Sequence, residues 1–278
     1  MAALKSANAL ENIDGLIVLA GAGKMGGALL TGWLAGGLDP KTVAVIEPYP
    51  SAEITELTPK GVRLNPDPKD VGSIATLVLA MKPQSFPEAG ATLKSFTGAS
   101  TLVVSIMAGA TIAGIAEVCG GAVVRAMPNT PAAIGRGITV AVAAANVTAR
   151  QRTLADALLR ATGLVEWIEN ESMMDAVTAV SGSGPAYIFL LAEELARAGV
   201  QAGLPAELAT KLARETVAGS GELLHRSELP SAALRQNVTS PGGTTAAALE
   251  VLMGADGMQS LLTRAVAAAT RRSRELAK

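Results

Sequence analysis

The sequence predicts a doubly wound α/β domain followed by an all-helical one. Three observations predict it. Short apolar runs alternate with helical periods through the first half. Those runs are apolar almost throughout rather than every second residue, the pattern of a parallel sheet covered on both faces. Beyond about Glu171 the strand signal stops and only helical periods remain.

Strands are expected at residues 15–20, 43–47, 76–81, 101–106, 122–126 and 138–144. Each is short, rich in β-branched residues and bounded by Gly, Pro or Asn. Helical periods fall between several of them, at 25–35, 86–94 and 112–118. Residues 185–203, 205–225, 244–252 and 258–278 read as helices, and two of these begin with or beside a proline, which suits a first helical turn. The expected division is a first domain over 1–171 and a helical one over 172–278, with no repeat and no low-complexity linker.

Composition narrows the chemistry. In 278 residues, 49% are hydrophobic and 17% charged, so a large core is expected and disorder is not. The formal net charge is −1, with no basic run that points to nucleic acid. One cysteine, Cys119, and one histidine, His225, can build neither an internal disulfide nor a His/Cys metal cluster, and no carboxylate grouping suggests a metal site. Residues 1–15 lack the apolar core of a signal peptide. Residues 95–116 are uncharged for long enough to raise a membrane span, but Met107-Ala108-Gly109-Ala110 reads as a strand-to-helix turn inside them. A soluble cytoplasmic protein is expected.

The first strand runs directly into Gly21-Ala22-Gly23-Lys24-Met25-Gly26, and a helix follows. This is G-x-G-x-x-G in its required setting. Gly21 permits the tight turn, Gly23 lets a pyrophosphate approach the backbone, and Gly26 lets helix and strand pack closely. The phosphates then meet a helix N-terminus, whose free N–H groups and dipole favour anions. These features mark a Rossmann dinucleotide-binding domain. Glu47, 21 positions after Gly26 at the tip of the second strand, has the spacing of the acid that bonds a ribose 2′-hydroxyl. It favours NADH, because a 2′-phosphate would meet a like charge there, and no Arg or Lys follows closely to hold one.

Five further segments carry a family resemblance. Ala80-Met81-Lys82-Pro83-Gln84, Ser105-Ile106-Met107-Ala108-Gly109, VVRAMPNTPAAIGRGIT from Val123, AVTAVSGSGPAYIF from Ala176 and NVTSPGGTT from Asn237 resemble, in order, segments of pyrroline-5-carboxylate reductases. The resemblance implies a Rossmann domain and an all-α dimerisation domain. It also implies reduction of the cyclic imine 1-pyrroline-5-carboxylate to L-proline by NADPH or NADH, the last step of proline biosynthesis. The phosphate loop is then Ala20, Gly21, Ala22, Gly23, Lys24 and Met25. The nicotinamide end lies along Ala80, Met81, Lys82 and Pro83 and along Met107, Ala108 and Gly109, with Asn237 near the cofactor. The substrate loop is Ser240-Pro241-Gly242-Gly243-Thr244-Thr245, and Glu171 matches an acid near the substrate. Many relatives prefer NADPH and have small or basic residues where this chain has Glu47-Pro48-Tyr49, which leaves cofactor choice open.

The residue types suit that reaction. A protonated imine accepts hydride without a strong acid, so the site must mainly orient it, and a site without a catalytic His is chemically sensible. The turn before Thr244 can offer backbone N–H groups and hydroxyls to a carboxylate, or be no more than a helix start. Thr245 is the candidate to bond the ring nitrogen. Lys82 touches the cofactor or caps a strand. Tyr187, His225, Arg125 and Asn129 read more readily as packing, a helix-dipole partner and structural hydrogen bonding.

Two rivals remain. A β-hydroxyacid dehydrogenase needs a lysine on the first long helix of its second domain, whereas here AYIFLLAEELARAG has none and Lys211 comes one helix later. A nucleotide-sensing or scaffold protein on the same fold would need no substrate loop. The helix from Pro185 is apolar nearly all round its first two turns and needs cover on more than one side, which, with the resemblance, implies a homodimer or a higher oligomer of dimers.

Overall fold

The computed structural model describes residues 15–276 together with Leu10 and Ile13, so most of the segment read for a signal peptide lies outside the described residues. The chain divides into two compact units. Unit 1 holds the described residues up to Gly182 and those from Thr270, and unit 2 is Ser183–Ala269. The expected boundary at 171/172 falls inside a short 3-10 helix, Glu171–Met173, of unit 1.

Unit 1 is built on one eight-stranded sheet: β1 Leu16–Ala20, β2 Val43–Ile46, β3 Arg63–Leu64, β4 Ile74–Leu79, β5 Leu102–Ser105, β6 Ala122–Met127, β7 Gly137–Ala143 and β8 Gly163–Trp167. Its order is β3-β2-β1-β4-β5-β6-β7-β8. All pairs from β3 to β6 are parallel, as a doubly wound domain requires. The parallel expectation fails at β7, which pairs with β6 antiparallel. The link between them, residues 128–136, holds only a 3-10 helix, Thr130–Ile134, and a parallel crossover needs a dozen residues or more. Two strands were not expected at all: β3, two residues long, and β8, whose Gly-Leu-Val-Glu-Trp mixes polar and apolar residues.

Side chains that alternate along a strand feed two cores, one on each face of the sheet. Ile17 and Leu19 of β1 join Val45, Val78, Val104 and Val124 in a core that α1 Lys24–Ala35, the short α2 Ala52–Thr55 and α5 Ala149–Arg160 complete. Leu16, Val18 and Ala20 join Leu77, Leu79 and Val103 under α3 Phe86–Lys94 and α4 Ile112–Cys119. Local chemistry sets the helix ends. Thr148 and Gln151 form a reciprocal capping box on α5, and the Thr111 hydroxyl accepts from Gly114 N at the start of α4. Trp33 of α1 is fully buried and donates from Nε1 to the Leu158 carbonyl at 2.8 Å, tying α1 to α5. Cys119, at the end of α4, is buried, and burial pushes its thiol up to about 11. No helix among the described residues is long and apolar enough to cross a membrane, so the uncharged stretch at 95–116 forms β5, a turn and α4 instead.

Unit 2 consists of helices: α7 Gly184–Gln201, α8 Ala206–Arg226, α9 Ser231–Asn237, α10 Thr244–Leu252 and the first part of α11 Met258–Leu276. A four-residue α6, Met174–Val177, and a π-helical turn, Thr178–Gly182, precede it in unit 1. α9 lacks an apolar period long enough to read in the sequence. The only apolar side chains buried among the described residues of unit 2 are Ala209 and Ala213, while Phe189 and Val251 are 68% and 76% exposed. α7 and α10 bury no residue.

Thr76 of β4 is fully buried and its Oγ1 has no hydrogen-bond partner. Replacing it by the near-isosteric Val removes an unsatisfied polar atom. We expect Thr76→Val to stabilise the protein by about 1 kcal/mol, read as a higher urea midpoint with an unchanged slope. A lower midpoint would show that the hydroxyl is satisfied.

Candidate active site

The parallel register lines up the strand ends. Ala20 pairs with Ile46 and with Leu79, and Leu79 pairs with Ser105. The next residue of each strand continues the ladder: Gly21 N donates to Ile46 O, Ala80 N to Ala20 O and Ile106 N to Leu79 O, at 2.8–2.9 Å. Four segments expected to hold a cofactor therefore share one edge of unit 1: the loop from Ala20 to Gly26, Glu47, Ala80 to Pro83, and Met107 to Gly109. Open α/β sheets bind ligands at this edge.

The loop itself depends on missing side chains. Gly21 has φ +93, and a Cβ there would lie 2.7–2.8 Å from the backbone of Ala80 and Met81. A Cβ on Gly26 would lie 2.1 Å from the Gly21 carbonyl oxygen. Nothing lies within 4 Å of where a Cβ on Gly23 would go. Gly21 and Gly26 are thus glycine because the protein is close, whereas Gly23 faces open space that a phosphate can enter. Gly23 is the N-cap of α1, has no side-chain cap, and is followed by no acid in the first turn. The first intrahelical bond is Gly27 N to Gly23 O, so the N–H groups of Lys24, Met25 and Gly26 precede it and face outward for an anion. The residues present fit a dinucleotide pyrophosphate.

Glu47 stands beside this loop. Its Oε2 accepts from Ala22 N at 2.8 Å and its Oε1 from Tyr49 N at 3.2 Å. Its own backbone is gripped by Asn65, a residue sequence reasoning did not single out. The available signal was slight: an Asn before a Pro, the residue type that best tolerates a left-handed backbone. Lys82 is exposed and forms the N-cap of a 3-10 helix, Pro83–Ser85. Met107 is buried with its N–H on Ser105 Oγ at 3.3 Å, Gly109 turns at φ +77, and Ala108 is exposed.

Glu171 holds the start of α4, three residues beyond that turn. Its Oε1 accepts from Ile112 N at 2.8 Å and pairs with Arg125 Nη1 at 2.8 Å. The Arg125 side chain is 6% exposed and that of Glu171 31%. The pair ties the start of α4, and with it the Met107–Gly109 turn, to β6. Asn129 accepts at Oδ1 from Ile138 N and fixes the start of β7. Both Arg125 and Asn129 make the structural hydrogen bonds that were the more readily expected role.

In unit 2, Ser240 to Gly243 form a turn closed by Gly243 N to Ser240 O at 3.0 Å, with Gly242 at φ +68 behind Pro241. Gly243 is the N-cap of α10 without a side-chain cap, and the first helical bond is Ala247 N to Gly243 O. The N–H groups of Thr244, Thr245 and Ala246 thus lead this helix, with no acid in its first turn. Thr245 is half-buried and Ser240, Gly242 and Thr244 are exposed. Asn237 is the last residue of α9 and exposed, Tyr187 is half-buried on α7, and His225 is exposed in the last turn of α8.

A comparison with curated proteins decides the family. The pyrroline-5-carboxylate reductase of Synechocystis is 43% identical, over 86% of this chain and 89% of its own. The chain belongs to the pyrroline-5-carboxylate reductase family. The family model described as pyrroline-5-carboxylate reductase dimerisation matches residues 171–276 of this reductase-family chain, and one described as NADP oxidoreductase, coenzyme F420-dependent, matches 16–109. The solved pyrroline-5-carboxylate reductase of Coxiella burnetii superposes with a TM-score of 0.86 at 36% identity, over 95% of this chain and 99% of that one. The pyrroline carboxylate reductase of Plasmodium falciparum, solved with NADP bound, superposes at 0.77 with 29% identity, over 95% and 99%.

The Arg125–Glu171 pair is unequal when broken. Loss of Glu171 leaves a buried cation without a partner, whereas loss of Arg125 leaves a partly exposed carboxylate still bonded to Ile112 N. Glu171→Ala should cost about 3 kcal/mol, the low end for a buried pair because Glu171 is partly exposed, and Arg125→Met clearly less. Urea unfolding of the two variants checks the order, and equal losses would contradict it.

Proposed function

We propose that the chain reduces 1-pyrroline-5-carboxylate to L-proline with hydride from NADPH or NADH, the last step of proline biosynthesis. The observation that carries this reading is the cradle at Gly23: open space and an uncapped helix start with no acid in its first turn, in a chain of this family. A bound reduced nicotinamide supplies a hydride to the imine carbon, and the already protonated nitrogen then becomes the ring amine.

The chain's own residues bind and orient. Lys24, Met25 and Gly26 offer N–H groups to the pyrophosphate, and Glu47 meets the adenosine ribose. Ala80 to Pro83 and Met107 to Gly109 line the nicotinamide end. Ser240 and the leading N–H groups of α10 take the substrate carboxylate, with Gly242 and Gly243 admitting it close to the backbone. The Thr245 hydroxyl bonds the ring nitrogen. Glu171 serves the site through its hold on Ile112 and Arg125. Orientation at near-attack distance is the main catalytic device, worth several kcal/mol in such sites, about 7–11 at its largest.

Residues 172–278 act as a dimerisation and substrate domain, in a homodimer or an oligomer of such dimers within the cytoplasm. Support comes from unit 2 itself, whose helices bury two alanines and leave long apolar side chains in the open. A second copy of the same faces covers them.

Two experiments test this reading. Oxidation of NADH and of NADPH should depend on added pyrroline-5-carboxylate, and Thr245→Ala should lower kcat/KM for the imine about ten- to a hundredfold while leaving cofactor affinity nearly intact. Turnover with a 2-keto or 3-hydroxy acid but not with the imine would overturn the assignment, and unchanged imine kinetics would remove Thr245 from the site. Sedimentation at sub-micromolar protein, with activity measured in the same buffer, should show a dimer or larger. A fully active monomer would refute the assembly.

A further inference from the structure

Asn65 follows β3 and is the one non-glycine among the described residues with a left-handed backbone, at φ 48. It makes three hydrogen bonds, one to the neighbouring β2 and two to Glu47 just past its end. Its N–H donates to Val45 O at 2.8 Å, its Oδ1 accepts from Glu47 N at 2.8 Å, and its Nδ2 donates to Glu47 O at 2.9 Å. The β2–β3 ladder proper ends at Val45 and Leu64. Pro48 and Pro66 stand next in the two segments, and neither has an N–H with which to go on. The amide of Asn65 continues the ladder in place of the backbone, and the left-handed turn is what brings it alongside Glu47. Asn is the non-glycine residue that adopts that turn most cheaply.

Both peptide groups of Glu47 are therefore fixed, which sets the point and direction from which its side chain leaves the backbone. From there the carboxylate reaches Ala22 N, in the phosphate loop. The Ile46–Glu47 tip is thus bound to the loop twice, by Gly21 N to Ile46 O and by Ala22 N to Glu47 Oε2.

We infer that Asn65 is a positioning residue for cofactor choice: it holds the Glu47 carboxylate against the phosphate loop, where the charge opposes a 2′-phosphate and receives a 2′-hydroxyl. The inference rests on the proposed reading of this edge as the adenosine end of the dinucleotide site. Asn65 acts through Glu47, to which both polar atoms of its amide are bonded. Without its amide, Glu47 can turn toward solvent, its bond to Ala22 N opens, and discrimination against the phosphorylated ribose falls.

The test compares Asn65→Gly, Glu47→Ser, the double variant and the parent, all as full chains. Glycine accepts a positive φ freely, so Asn65→Gly removes the amide without straining the backbone. The first readout is the ratio of Kd values for NADH and NADPH, titrated by calorimetry without imine. The second is the amide hydrogen-exchange rate of Ala22 in the cofactor-free protein. Because the Asn65 amide is exposed, Asn65→Gly should move the ratio toward NADPH by roughly two- to fivefold, in the same direction as Glu47→Ser, and speed exchange at Ala22 by a similar factor. The double variant should shift no further than Glu47→Ser alone, since Asn65 acts only through Glu47. A shift with Glu47→Ser but none with Asn65→Gly, or shifts that add in the double variant, would overturn the inference and leave the proposed function standing. No shift with either variant would overturn it together with the adenosine-end reading, while imine-dependent turnover of the parent would still report on the reductase assignment separately.

Discussion

The approach of the β1–α1 turn to the end of β4 governs what unit 1 can be. Gly21 lies so near the Ala80–Met81 backbone, and Gly26 so near the Gly21 carbonyl, that neither position has room for a single further carbon. That closeness sets the start of α1 over the strand ends, with its first N–H groups facing outward at Gly23. Everything expected of the cofactor edge follows from this placement: the level of Glu47, the run of Ala80 to Pro83, and the turn at Gly109. A parallel sheet supplies it cheaply, since register alone brings the four strand ends abreast.

Where the sequence was legible, the physics was local. Short apolar runs rich in β-branched residues and bounded by Gly, Pro or Asn read as strands buried on both faces, and the observed ends of β1, β2, β5 and β7 fall within a residue or so of that expectation. The glycine loop was legible for the same reason, because each glycine answers a nearby steric demand. β3 was too short to have a period, and β8 carries Glu166 and Trp167 in a run that looks like neither a buried strand nor a helix. What stabilises β8 is distant in sequence: Arg152 lies 4.4 Å above the Trp167 ring and Asp156 accepts from its Nε1. The reversal at β7 was hard to read because the expected strands left residues 127–137 between them, close to the length a parallel crossover needs, and only the observed strand ends shorten the link to 128–136.

The same limit applies to the site. Thr245 and the Pro241–Gly242 turn stand out in the sequence because turn chemistry is written in adjacent residues. Asn65 and the Arg125–Glu171 pair do not, because each acts on a partner brought to it by the sheet: eighteen positions away for Glu47, forty-six for Glu171. Arg125 is nearly apolar in context, with Val123 and Val124 before it and Ala126 after, and only its buried partner explains a cation there. Unit 2 presents the opposite case. Its helices read plainly, yet within their own unit they leave large apolar side chains such as Phe189 and Val251 exposed.

The lone cysteine has a practical meaning of its own. Cys119 closes α4 against the core formed by Phe86, Leu93, Phe96 and Ile115, and burial holds its thiol in the unreactive protonated form. A sulfhydryl reagent can reach it only when that layer of the domain comes apart. With a single sulfhydryl in the whole sequence, its labelling rate is an intrinsic clock for the opening of the α3–α4 side of the sheet, and any cysteine introduced at the surface becomes a unique attachment point on the native molecule.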